Sequence, residues 1–128
     1  MANGAGLRIL VVDDDDLVRM TMEAALAQAG HEVTPASDGN DALRLFQAGR
    51  YDLVITDIIM PGREGIETIL ELRRLSASVP IIAISGGGRT HNLDFLSAAK
   101  ALGANHALAK PFTPDALLAM VETATSGN

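Results

Sequence analysis

The chain has no cysteine, which excludes disulfides, thiolate zinc sites and a cysteine nucleophile, and removes redox usage as a guide to compartment. It also lacks positive charge: ten basic against sixteen acidic residues leave a net charge of −6. That balance repels a phosphate backbone, so direct nucleic-acid binding is not expected. No apolar run approaches the roughly 20 residues needed to span a bilayer. Met1 to Gly6 has neither the charged start nor the apolar stretch of a secretory signal. A soluble cytoplasmic protein without membrane attachment is the expectation. Long linkers, low-complexity tracts and internal repeats are missing too. What is present is 48% hydrophobic content over 128 residues and a mean hydropathy of +0.20, enough for one sizeable core and too little chain for a second domain. A single domain over residues 1–128 is expected, its core spanning about 7–122 between two polar tails.

The apolar residues fall into five short runs separated by helical patterns. Leu7 to Val12 is broken only by Arg8, Leu53 to Ile55 leads into Asp57, and Ile81 to Ile84 ends at Ser85. Runs that are apolar at consecutive positions suit strands buried on both faces. His31 to Ala36 is weaker and carries Pro35, which fits an edge strand. Ala107 to Ala109 is a short fifth run. Between them, apolar residues recur at helical spacing from Leu17 to the stop at Gly30, from Ala42 to Gly49 after a Ser37–Asn40 turn, from Ile66 to Leu75, and from Asn92 to Leu102. Thr113-Pro114-Asp115 provides a cap, a first-turn proline and a first-turn acid for a last helix through about Val121, after which Thr123 to Asn128 is expected to fray. Strand and helix alternate five times, which predicts an α/β fold with a doubly wound parallel sheet of five strands covered by five helices.

The chemistry concentrates where the strands end. Asp13 and Asp14 follow the first run, Asp57 the third, Ser85 the fourth and Lys110 the fifth, and carboxyl ends of parallel strands share one edge of the sheet, where open α/β sheets bind ligands. Carboxylates about 4 Å apart repel by roughly 4 kcal/mol at an effective dielectric near 20, so a proton or a cation must intervene. A hard divalent cation is the simplest solution, and three carboxylates with water and a backbone carbonyl suit Mg²⁺. Lys110 and the Ser85 hydroxyl then complete a site for the oxygens of a transferred phosphoryl group, with Asp57 as a carboxylate nucleophile. Asp15 and Asp16 are read as a solvated helix start, either able to cap the first helix. His31, His91 and His106 lack metal-ligand spacing, and Gly86-Gly-Gly88 lacks the Gly-Lys-Ser/Thr ending of a nucleotide loop.

Val11-Val12-Asp13-Asp14, Asp57-Ile-Ile-Met-Pro-Gly-Arg-Glu-Gly65, Ser85-Gly86 and Lys110-Pro111-Phe112 together resemble the receiver domain of bacterial two-component response regulators, of the stand-alone chemotaxis type. The resemblance covers essentially the whole chain. It implies the flavodoxin-like strand order 2-1-3-4-5, which periodicity alone does not supply. It implies Asp57 as phosphoacceptor, Mg²⁺ held by Asp13, Asp14, Asp57 and the backbone carbonyl of Ile59, and Asp13 acting mainly through a metal-bound water. Ser85 would bind a phosphoryl oxygen, and Lys110 would pair with the phosphoryl group or, before transfer, with Asp57. The Lys110-Pro111 peptide would be cis. The implied function is a signalling receiver rather than an enzyme: a sensor histidine kinase or histidine phosphotransfer protein donates the phosphoryl group, and altered contacts with a downstream protein carry the signal or a phosphorelay.

The sequence leaves the family pattern at three points. Ala107 stands where receivers carry a Tyr or Phe that moves on phosphorylation, the Gly86–His91 region is a few residues longer than in compact members, and these 128 residues are expected to act without an effector domain. With no ring at Ala107 to move, the glycine-rich loop and the start of the Asn92–Leu102 helix are expected to carry the switch. Two rival functions fit the residues less well. A phosphohydrolase of haloacid-dehalogenase type needs an Asp-x-Asp arrangement, whereas Asp57 is followed by Ile58 and Ile59. A degenerate receiver acting only as a binding module conflicts with the intact acids, hydroxyl and lysine.

Overall fold

The computed structural model describes residues 6–58, 65–85, 100–101 and 103–126. Five parallel strands, β1 (Arg8–Val12), β2 (Glu32–Ala36), β3 (Leu53–Asp57), β4 (Ile81–Ser85) and β5 (His106–Ala109), form one sheet in the order β2-β1-β3-β4-β5. Four helices are described: α1 (Asp16–Gln28), α2 (Gly39–Ala48), α3 (Gly65–Leu75) and α4 (Pro114–Thr125). The helix expected over Asn92–Leu102 lies outside the described residues except for Lys100 and Ala101, both helical.

Strand alternation splits the core into two layers. Leu10, Val12, Val54, Ile81 and Ala83 turn to one face and pack with Ile69 and Leu72 of α3 and Ala42 of α2. Ile9, Val11, Leu53, Ile55, Ile82 and Ile84 turn to the other, against Met22 and Leu26 of α1 and Leu117 and Val121 of α4. β1, β3 and β4 are therefore covered on both sides, which is why they read as unbroken apolar runs. β2 is the edge strand that Pro35 suggested.

Two boundaries differ from the expected ones by three residues or more. Gly39 and Asn40 belong to α2 rather than to a turn, because the Asp38 carboxylate accepts the Asp41 N–H at 2.8 Å and caps the helix ahead of them. The last helix runs on to Thr125 instead of stopping near Val121. The Thr123 and Thr125 hydroxyls donate to the Ala119 and Val121 carbonyls, and Ala124 packs on the core, so these residues do not fray.

At the end of the sheet opposite the strand-end acids, Arg73 of α3 ties the chain together. It donates to the Gly103 carbonyl at 3.0 Å and to Asn105 Oδ1 at 2.8 Å, and the same oxygen accepts the Ile81 N–H. Gly103 has φ of +138°, and a methyl group there would come 2.7 Å from Arg73 Cγ. Gly103→Ala is therefore expected to destabilise the fold by about 1–3 kcal/mol, from backbone strain and the displaced arginine together. Urea denaturation checks it, and an unchanged midpoint would show that the arginine yields at no cost.

Candidate functional site

The ends of β1, β3, β4 and β5 bring together the residues expected to meet there. Asp57 closes β3 and Ser85 closes β4, while Asp13 and Lys110 are the first residues after β1 and β5. Main-chain bonds fix these ends: Asp13 N–H donates to Ala36 O at 3.1 Å, Ile58 N–H to Ile84 O at 2.9 Å and Lys110 N–H to Ser85 O at 2.8 Å. Asp13 and Ser85 are completely buried and Asp57 is nearly so, whereas Asp14 is exposed. The Lys110-Pro111 peptide is cis.

One carboxylate oxygen from each of Asp13, Asp14 and Asp57 lies within 4.8 Å of the other two. The Lys110 ammonium stands 3.0 Å from Oδ2 of both Asp13 and Asp57. It donates a hydrogen bond to Asp57, but the Asp13 contact is an ion pair without hydrogen-bond alignment, and Asp13 Oδ2 is a buried oxygen with no hydrogen-bond partner among the described residues. Asp13 Oδ1, by contrast, accepts the Asp15 N–H at 2.9 Å. Burial raises the Asp13 carboxyl above its ordinary value, against the lowering effect of the Asp15 N–H and of Lys110. Burial pulls Lys110 down, but the close carboxylates of Asp13 and Asp57 outweigh it and raise the ammonium above its ordinary value.

Among the described residues, one ammonium stands against three carboxylates in the cluster. A buried, unbonded carboxylate oxygen facing two further acids is a site shaped for a hard divalent cation, and the all-oxygen donor set suits Mg²⁺ rather than a softer metal. The backbone carbonyl of Ile59, also expected as a ligand, lies outside the described residues, as does the Gly86–His91 region. Ala107 sits half-buried on β5 opposite Ala83 of β4.

Asp15 and Asp16 stay out of the cluster. Asp15 caps α1, accepting from Leu17 and Val18 N–H, and Asp16 pairs with Arg19 at 2.6 Å. Two features of the site were not read from the sequence. Lys110 contacts Asp13 as closely as Asp57, and Arg19 Nη1 donates to the Asp13 main-chain carbonyl at 2.8 Å. The Asp16–Arg19 spacing of three residues signals their own pairing on the helix, but not the reach of Arg19 to Asp13.

The family model of the response regulator receiver domain matches residues 9–122. The uncharacterized transcriptional regulatory protein YrkP of Bacillus subtilis is 42% identical over 114 residues, covering 89% of this chain and 47% of that protein. The transcriptional regulatory protein DltR of Streptococcus agalactiae is 35% identical over 123 residues, 93% of this chain and 52% of that protein. The chain thus spans about half the length of these curated relatives. Among solved structures, a putative response regulator from Chloroflexus aurantiacus superposes with a TM-score of 0.88 at 32% identity, covering 95% of this chain and 99% of the other. The chemotaxis response regulator CheY4 of Vibrio cholerae gives 0.83 at 32% identity, covering 94% and 99%.

Proposed function

The chain belongs to the response regulator receiver domain family, and from that premise we propose that Asp57 accepts a phosphoryl group from a phosphohistidine donor in a Mg²⁺-dependent step that changes the protein contacts of the domain. The observation that carries this reading is the Lys110 ammonium held 3.0 Å from both Asp13 and Asp57 beside a third carboxylate. Asp13, Asp14 and Asp57, with the Ile59 carbonyl, would hold the cation. Once bound, Mg²⁺ supplies charge neutralisation and orientation for the phosphoryl oxygens.

In the proposed step an Asp57 carboxylate oxygen attacks phosphorus, a new P–O bond forms, and the donor's P–N bond breaks with its electrons returning to the imidazole. The product is an acyl phosphate on Asp57 and a free histidine on the donor. Lys110 is poised to pass from the carboxylate to a phosphoryl oxygen, and the Ser85 hydroxyl would bind another. Hydrolysis of the acyl phosphate by water resets the domain slowly, so the chain catalyses its own modification without turning over a separate substrate. Intact mass after incubation with acetyl phosphate, with and without Mg²⁺, tests the reading. No added phosphoryl mass in the presence of Mg²⁺ would overturn it.

The donor is proposed to be a sensor histidine kinase or a histidine phosphotransfer protein in the cytoplasm, and the output a contact with a downstream protein. Direct DNA contact by these residues is not part of the proposal, since the net charge is −6. A protein donor must rest on a surface beside the site, and α1 offers one. Leu17 and Met20 are 74% and 61% exposed directly after the acidic turn, and Met20 lines an open groove together with Ala24, Gln28 and, from α4, Pro114. Apolar side chains so exposed fit the core of a docking interface. Met20→Glu is expected to slow transfer from a phosphohistidine protein about tenfold, the equivalent of losing about 1.4 kcal/mol of docking energy. Its rate with acetyl phosphate should match wild type, because a small donor needs no docking. Equal slowing with both donors would remove α1 from the interface.

A further inference from the structure

Arg19 is the single basic residue of α1, and its side chain is only 15% exposed. Helical side chains lean toward the N-terminus, so Arg19 folds back over the turn that precedes its own helix. There the guanidinium divides between two tasks. Nη1 donates to the Asp13 main-chain carbonyl at 2.8 Å, while Nη2 meets Asp16 at 2.6 Å and Nε approaches Glu23 at 4.0 Å.

The carbonyl it binds belongs to the Asp13–Asp14 peptide, and a peptide unit is planar. Fixing that oxygen therefore fixes the plane that leads directly into Asp14. At the other end of the same residue, Asp13 N–H is bound to Ala36 O, and Asp13 Oδ1 is bound by the Asp15 N–H. With these three restraints, Asp13 has one oxygen left, Oδ2, for the shared cluster. The exposed Asp14 begins at the peptide whose carbonyl Arg19 binds.

We propose that Arg19 is a positioning residue for the cation site, acting through the Asp13–Asp14 peptide to aim both carboxylates; this rests on the reading of the site given above. A competing account treats Arg19 as charge alone, and the two accounts differ in sign. A guanidinium near the site repels a divalent cation, and its removal would leave Asp16 and Glu23 as unpaired negative charges nearby. Charge alone therefore makes loss of Arg19 tighten Mg²⁺ binding. Positioning makes the same loss weaken it.

The test is calorimetric titration of the metal-free chain with Mg²⁺, comparing wild type with Arg19→Met, which keeps the aliphatic stem but removes the fork, and Arg19→Lys. Arg19→Met should bind Mg²⁺ about tenfold more weakly, the low end of what residues supporting a metal ligand contribute. Lysine is a single-point donor on a flexible stem and should not restore affinity. With acetyl phosphate, the loss should fall more on the half-saturating Mg²⁺ concentration than on the maximal rate, a split that general destabilisation does not produce. Unchanged or tighter Mg²⁺ binding in Arg19→Met, or full restoration by lysine, overturns the proposal while leaving the Asp57 reading intact. If Arg19→Met does not fold, Arg19→Lys decides alone, weaker binding supporting the proposal and wild-type affinity overturning it. A wild-type chain that binds no Mg²⁺ sinks the site reading and this inference with it.

Discussion

Asp57→Asn is expected to gain no phosphoryl mass from acetyl phosphate and Mg²⁺ under conditions that modify the wild-type chain. An amide oxygen is too weak a nucleophile to displace a phosphate leaving group, so the rate should fall at least about a thousandfold, as when a catalytic nucleophile is removed. Asp13 is the nearest rival acceptor, since Lys110 also lies 3.0 Å from it. It is nonetheless completely buried, its Oδ1 accepts the Asp15 N–H, and Lys110 donates its aligned hydrogen bond to Asp57 rather than to Asp13, so Asp57 is the expected acceptor. Asp14 is open to donors, but among the described contacts of Lys110 the close carboxylates are Asp13 and Asp57. The fold itself should tolerate the change. Asparagine keeps the shape and an oxygen that accepts from Lys110, and it removes one of the repelling charges, so the thermal midpoint in chelator should stay level or rise. Phosphoryl mass appearing in Asp57→Asn at the wild-type rate would move the acceptor elsewhere.

Much of this architecture was legible because the central strands are covered on both sides. β1, β3 and β4 bury their residues in one layer or the other, and only a parallel sheet between helices makes such runs apolar at consecutive positions. Their order in the sheet was not legible that way, since nothing in five apolar runs says which lies beside which; the resemblance supplied it. Local competition hid two boundaries. Gly39 and Asn40 carry turn chemistry, but the Asp38 cap draws them into a helix, and threonines that favour loops return their hydroxyls to the preceding turn of α4. At the site, Asp13, Asp14, Asp57, Ser85 and Lys110 could be grouped because each follows or closes a strand. What could not be read was the path of long side chains. That Lys110 stands equally near two acids, and that Arg19 bends back six residues to the Asp13 carbonyl, depends on rotamers that only the packed structure selects.

The same lysine should govern how the metal-free protein responds to pH. Lys110→Met is expected to lower unfolding free energy in chelator at neutral pH by about 2 kcal/mol, less than the 3–5 kcal/mol typical of breaking a fully buried pair, because the Lys110 side chain is 18% exposed. The loss arises because the ammonium 3.0 Å from both Asp13 and Asp57 is removed while their mutual repulsion remains. Its pH dependence follows from the two raised groups. Lys110 titrates above its ordinary 10.5 in the fold, so its contribution is complete below 10.5 and disappears as pH rises through the folded value. Asp13 also titrates above its ordinary 3.8, so the fold favours its neutral form, and as pH falls through the folded value Asp13 takes up a proton and no longer needs the ammonium. The stability difference between wild type and Lys110→Met should therefore form a plateau across neutral pH and shrink at both ends. Saturating Mg²⁺ should shrink it at pH 7 as well, because a divalent cation supplies the missing positive charge and stabilises the folded state that binds it. Urea denaturation of both proteins, in chelator from acid to alkaline pH and in Mg²⁺ at neutrality, measures each part. Equal stability at pH 7, or a difference that neither pH nor Mg²⁺ alters, would mean that the lysine is not the counter-charge holding this cluster of acids together.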